Sequence, residues 1–187
     1  MKQLKTFALV GLALLVSAPS LSAVTVRVGV FGGYQTVTDA AFKDVYGNGK
    51  TVFGGGLGIG FGPGLEARIE ASFLSFDGKT TLTDEDSTFS LTPLTAGVRY
   101  YFLPGLVRPY AGAGVAYCLY KETGPERFGS VSEASLGFHA EGGLCVELGP
   151  MVFVDINARY IAAKAEPFDE SFNIGGLRGT LGLGVRF

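Results

Sequence analysis

The sequence contains no tryptophan, one histidine, two cysteines and two methionines among its 187 residues. A single histidine, with no metal-ligand spacing around it, gives no basis for a metal centre. Two cysteines are too few for a disulfide framework. No basic run occurs and the net charge is only −2, which argues against nucleic acid as a partner. No glycine-rich segment sits at a strand-to-helix turn of the phosphate-binding kind. Nor does any segment reach the roughly 20 consecutive apolar residues that a membrane-spanning helix needs. The mean hydropathy is nonetheless positive, +0.32, and there are 29 glycines. The apolar content must therefore serve something other than helices.

The chain opens with Met1, Lys2, Gln3, Leu4 and Lys5, runs through an apolar stretch from Phe7 to Val16, and continues from Ser17 to Ala23, ending in Leu21-Ser22-Ala23 with small residues at its close. A basic start, a short apolar stretch and a small-residue site make a secretory signal peptide. Residues 1–23 are expected to be removed, leaving residues 24–187 as one domain, sized for a single core or a single closed barrel.

Turn chemistry recurs within that domain at Gly62-Pro63-Gly64, Leu103-Pro104-Gly105 and Gly149-Pro150. Each cluster separates two segments of alternating hydrophobicity, the signature of a tight hairpin. Longer polar stretches at Thr36 to Lys50, Asp77 to Thr88, Lys121 to Glu133 and Ala162 to Asn173 fall between these hairpins. Three short turns alternating with four long loops join eight strands. That asymmetry predicts an all-β, eight-stranded, antiparallel up-and-down transmembrane β-barrel with its short turns on the periplasmic side.

The strand charges support that choice. In the third strand the apolar phase is Leu65, Ala67, Ile69, Ala71 and Phe73, and the opposite phase holds Glu66, Arg68 and Glu70. The other strands divide in the same way: Arg27, Arg99, Glu141, Glu147, Asp155, Arg159, Arg178 and Arg186 all avoid the apolar phase. An Arg or Lys facing lipid at the bilayer midplane costs roughly 2 to 4 kcal/mol, so a lipid-exposed wall requires this segregation. In a soluble barrel the apolar phase would face inward instead. Aromatic residues also gather at both ends of the apolar phase: Phe61, Tyr100, Phe102 and Phe187 at the turn side, Tyr34, Phe53, Phe73, Tyr117 and Tyr160 at the loop side. They form two expected interfacial girdles, built from Tyr and Phe in the absence of Trp. Because an open sheet edge cannot be satisfied in lipid, the first and last strands are expected to pair.

Several segments resemble known bacterial families. The last ten residues, Arg178 to Phe187 (RGTLGLGVRF), resemble the carboxy-terminal signal read by the outer-membrane assembly machinery, with Leu181, Leu183, Val185 and Phe187 as its alternating apolar positions. Ala96 to Phe102 (AGVRYYF) with Arg108 to Tyr117 (RPYAGAGVAY) is similar to the fourth and fifth strands of OmpW-like and opacity-type small barrels. Val154 to Tyr160 (VDINARY) is similar to their seventh strand. The resemblance, which extends to OmpX-like barrels, implies residence in the outer membrane, contact with its lipid and lipopolysaccharide, and passage through periplasmic chaperones and the barrel-assembly machinery.

An eight-stranded barrel has room inside for little more than side chains. The inward set Arg27, Glu66, Arg68, Glu70, Arg99, Glu141, Asp155, Arg159, Arg178 and Arg186, with Glu147, is therefore expected to form a plug of ion pairs. Inward glycines such as Gly54, Gly56, Gly58 and Gly60 either make space for those side chains or leave a cavity. His139, inward beside Glu141 and Ser135, matches no catalytic motif; no enzymatic activity, cofactor or metal is expected. Cys118 should face roughly residue 136, leaving Cys145 about nine residues further on, roughly 30 Å at the strand rise. A disulfide needs Cα atoms within about 7 Å, so both thiols should be free.

Pro93 breaks the strand rules where the apolar phase changes from Phe89 and Leu91 to Leu94 and Ala96, so a bulge or a frayed strand start is expected there. It is also a candidate lateral gate, given the association of OmpW-like proteins with small apolar molecules. Two functions follow: a passive conduit or binding barrel for small apolar solutes, or a non-conducting barrel whose extracellular loops contact partners or lipopolysaccharide. The loop acids Asp84, Glu85, Asp86, Glu166, Asp169 and Glu170 are read as a solvated face.

Overall fold

Alternation with period 2 produces long antiparallel hairpins, and their register closes the sheet on itself. In the computed structural model the described residues are 24–38, 48–62, 64–79, 86–123, 130–165 and 172–187. The proposed signal peptide and the loop acids other than Asp86 lie outside them. The strands are β1 (Thr25–Thr36), β2 (Gly49–Phe61), β3 (Leu65–Lys79), β4 (Asp86–Tyr101), β5 (Val107–Thr123), β6 (Ser130–Glu147), β7 (Val152–Ala165), β8 (Phe172–Asn173) and β9 (Gly176–Arg186). Sequential neighbours pair from β1 to β7, and β9 joins β7 to β1.

The short β8 is not a ninth barrel strand. It faces β7 at Lys164↔Asn173, in the same register that β9 holds at Ile161↔Gly176. The two segments are one eighth strand interrupted at Ile174 and Gly175. The ends meet as lipid requires: Val26 N–H donates to the Phe187 carbonyl at 3.1 Å, and Phe187 N–H donates to that of Val26 at 2.9 Å.

Cross-strand partners give the stagger of the barrel. From Gln35 they run through Arg178, Arg159, Glu141, Gly112, Arg99, Glu66 and Gly60, returning to β1 at Thr25, ten residues from the start. Eight strands with that shear tilt by about 40°. Three glycines with positive φ mark tight turns: Gly62 at 64°, Gly105 at 119° and Gly149 at 126°.

The outer face is apolar around the whole circumference. Val30, Ile69, Val98, Phe138, Ile156 and Leu183 are all exposed on it, and the aromatic positions Tyr34, Phe53, Phe73, Tyr100, Phe102, Tyr117, Tyr160 and Phe187 turn outward with them. Arg27, Glu66, Arg68, Glu70, Arg99, Glu147, Asp155, Arg159 and Arg178 are buried inside.

Two expectations from the sequence need correction. The four polar stretches are not loops throughout, because pairing continues within them at Thr36↔Gly49, Asp77↔Thr88, Lys79↔Asp86, Lys121↔Ser132 and Lys164↔Asn173. A tilted strand needs only about 9 to 11 residues to cross the bilayer. With 16, 17 and 18 residues, β4, β5 and β6 run past it. Polarity in these segments marks where hydrocarbon ends; backbone pairing is indifferent to it in water.

Pro93 is neither a bulge nor a strand start. It lies within β4, and its register to β3 is the same below it, at Ala71↔Leu94, and above it, at Leu74↔Leu91. Pairing to β5 is unbroken at Thr92↔Leu119 and Pro93↔Cys118. Only the two β3 positions opposite, Ser72 and Phe73, drop out of the ladder, as expected where the donor N–H is missing. The apolar phase changes because the interior itself changes: Leu91 points inward and is 2% exposed.

Candidate functional site

Inward side chains divide the lumen into two layers along its axis. From the turn side to the middle they are ionic, set around a small second buried cluster of Tyr101, Tyr110, Cys145 and Phe153. Arg27 on β1 bridges Glu66 at 2.7 Å and Glu147 at 3.0 Å. Arg68 lies between Glu66 and Glu70. Arg99 grips Glu141 with a bidentate fork, Nε to Oε1 at 2.7 Å and Nη2 to Oε2 at 3.1 Å, and reaches Asp155 at 2.8 Å. Arg159 meets both Glu70 and Glu141, and its Nη1 donates to Thr95 Oγ1 at 3.0 Å. Glu70 thereby receives Arg68, Arg99 and Arg159, with Arg178 at 3.5 Å.

Neutral groups complete the layer. Tyr110 Oη donates to Asp155 at 2.7 Å and accepts from Asn157 Nδ2 at 2.9 Å. The Tyr110 ring also lies 4.4 Å beneath the Arg99 guanidinium. Taking such charges out of water costs several kcal/mol per ion, and only multiple pairing with good geometry offsets that. The shared carboxylates supply it.

The glycines opposite make this density possible. A Cβ on Gly56 would lie 2.6 Å from the Glu70 Cγ, and one on Gly58 2.7 Å from the Glu66 carboxyl. Between the two possibilities left by the sequence, these glycines are filled positions. The void beside Arg68, Arg99, Asp155 and Asn157 measures about 10 Å³, the space of about one water molecule.

Arg178 ends the ionic layer. It crosses the lumen to donate to Ser72 Oγ at 2.9 Å and stacks on Phe31 at 5.2 Å. Beyond it the interior is mainly apolar: Val37, Val52, Leu74, Leu91, Ala116, Cys118, Tyr120, Ile161, Ala163 and Ile174 form one buried cluster, with Ser135 buried opposite Cys118. Pro93 is fully buried at the same level.

At the turn-side mouth, Glu147 Oε1 accepts from Arg27 and from Arg108 at 3.2 Å, while Arg186 meets its other oxygen. The charge pattern of the sequence left out Arg108, Tyr110 and Asn157. Their inward strand phase was the signal that could have found them, although Arg108 sits at the very start of β5.

Ser135, His139 and Glu141 do not form a proton relay. Ser135 Oγ donates to the Lys164 carbonyl, Glu141 is held by two arginines, and His139 Nδ1 is buried without a partner. Cys118 faces Ser135 and Cys145 faces Asp155, and both thiols are free. The assembly-signal positions Leu181, Leu183, Val185 and Phe187 all face outward.

A closed eight-stranded cylinder with an apolar exterior and a charged, filled interior agrees with the family comparison, in which the model for the outer membrane protein beta-barrel domain matches residues 8–187. The chain belongs to this outer membrane barrel family. It resides in the outer membrane, as an integral β-barrel. No curated protein matches its sequence. Among solved structures it is similar to the outer membrane protein OprG of Pseudomonas aeruginosa, with a TM-score of 0.66 at 15% identity over 88% of this chain and 95% of that one. It is similar to the N-terminal β-barrel domain of Pseudomonas aeruginosa OprF, with a TM-score of 0.57 at 18% identity over 87% and 97%. The attachment invasion locus protein Ail of Yersinia pestis, solved with the heparin analogue sucrose octasulfate, gives 0.52 at 18% identity over 88% and 97%. At these identities the likeness is one of fold.

Proposed function

We propose that this outer-membrane barrel is non-conducting and serves as a membrane-anchored scaffold for the strand ends and loops it carries beyond the bilayer. One observation carries the reading: the ionic layer occupies the lumen from Glu147 to Arg178, with Glu66, Arg99 and Arg159 almost wholly removed from solvent. Passage through the lumen would require several shared ion pairs to break together, each leaving a buried charge without its counter-ion. The loop-side strand ends would then meet lipopolysaccharide or other surface partners. The outward Leu181, Leu183, Val185 and Phe187 would serve earlier, as the segment recognised during assembly. Signal-peptide removal at residue 23 belongs to the same route.

Planar-bilayer recordings and liposome flux on the refolded barrel test the reading. We expect no discrete conductance steps and no solute flux above that of protein-free liposomes. Steady channel activity in the unmodified protein would overturn it.

The second reading, binding or sideways passage of small apolar solutes, draws on the apolar layer and on the ladder positions missing opposite Pro93. Pro93→Val restores the absent N–H. If Pro93 is a lateral gate, this variant slows uptake of an apolar solute into vesicles; unchanged uptake removes the gate.

A further inference from the structure

The ionic layer is not electrically balanced, and its surplus sits at one end. Among the side chains of the described residues, from the turn-side mouth up to Arg178, seven arginines (27, 68, 99, 108, 159, 178 and 186) face five acids (Glu66, Glu70, Glu141, Glu147 and Asp155). In the middle, Arg99 and Arg159 have Glu70, Glu141 and Asp155 within reach. At the mouth, Arg27, Arg108 and Arg186 converge on Glu147, and Arg27 also reaches Glu66.

A pocket of about 430 Å³ opens at this place, walled by Arg108, Arg186 and Glu147 and by the turns at Pro104 to Leu106 and at Gly149. Arg186 is 31% exposed along its side chain, so its guanidinium combines access with a fixed direction: Nε donates to the Pro150 carbonyl at 2.9 Å. Arg108 is held from behind by the Tyr101 ring, 4.4 Å away. Two oriented guanidiniums sharing one carboxylate, beside open space, make a receptor for a further tetrahedral oxyanion, which accepts several such donors at once.

We propose that the turn-side mouth binds a phosphate-bearing anion between Arg108 and Arg186. On the periplasmic side that chemistry has two sources, free phosphate and the headgroup of a bilayer phospholipid. Leu103, Leu106, Leu148 and Met151 are exposed around the same turns and offer apolar contact to lipid chains. Glu147 competes with the anion for both arginines.

The test uses the full barrel refolded into phosphatidylcholine nanodiscs and titrated with inorganic phosphate at constant ionic strength, read through the arginine Nε–Hε NMR signals. Saturable shifts of the Arg108 and Arg186 signals are expected, lost in the Arg108→Gln/Arg186→Gln pair. Glu147→Gln removes the competitor and is expected to tighten the apparent Kd by about tenfold, equivalent to about 1.4 kcal/mol. A second arm uses discs that mix phosphatidylcholine with phosphatidylglycerol, with retained lipid identified by mass spectrometry. Phosphate-induced shifts support a soluble anion as the ligand. Selective retention of phosphatidylglycerol that depends on both arginines supports the headgroup. If phosphate moves no arginine signal, Glu147→Gln does not tighten binding and no lipid is retained selectively, the proposal is wrong. Heat-modifiable gel mobility shows that each variant has folded, and Glu147→Gln, which keeps every arginine, remains informative if the double variant does not fold.

Discussion

The turn-side and loop-side halves of the interior are built on the same strands and filled by opposite chemistry. Below Arg178 each buried charge depends on partners from other strands, as Arg99 does on Glu141 and Asp155, with Tyr101, Tyr110, Cys145 and Phe153 packed among them. Above it, Val52, Leu91, Ile161 and Ile174 depend only on close packing. A charged layer ties particular strands together by direction. An apolar layer of the same size tolerates exchange among similar shapes. The first half should therefore fail sharply when one member is removed, and the second gradually.

The largest expected effect comes from Glu141→Ala, which removes the carboxylate that Arg99 and Arg159 share and leaves these two buried cations to Glu70 and Asp155. A loss of about 3–5 kcal/mol in urea unfolding from lipid vesicles is expected, and a loss below about 1 kcal/mol would make the layer no more important than a surface pair. Next, Leu183→Arg puts a charge on the lipid side of the wall and should cost about 2–4 kcal/mol in the same assay. A neutral result there would mean that Leu183 does not face hydrocarbon. Ile161→Val sharpens the contrast between the halves: trimming one methyl group from the apolar cluster should cost about 0.5–1.5 kcal/mol. The smallest effect concerns Cys118 and Cys145, one in each buried cluster. Neither should react with a maleimide in the folded barrel and both should react in denaturant, as mass spectrometry would show. Rapid labelling of Cys118 alone would mean that the loop-side layer opens.

The alternation of residues along each strand, read with the punctuation of Gly62, Gly105 and Gly149, was enough to determine strand number, the phase that faces lipid and the residues turned inward. Those features depend on period-2 geometry and on the cost of charge in hydrocarbon, which act locally. The free state of the two cysteines followed from the same counting. Which arginine meets which acid was decided only in three dimensions, because a stagger of ten residues around the cylinder places Arg27 beside Glu147, and no linear spacing encodes that. Leu91 and Pro93 show the same limit: within one strand an apolar residue signals burial without saying whether lipid or a second apolar layer receives it. The closed barrel answers that question, since only there does the loop-side interior exist as a place to be filled.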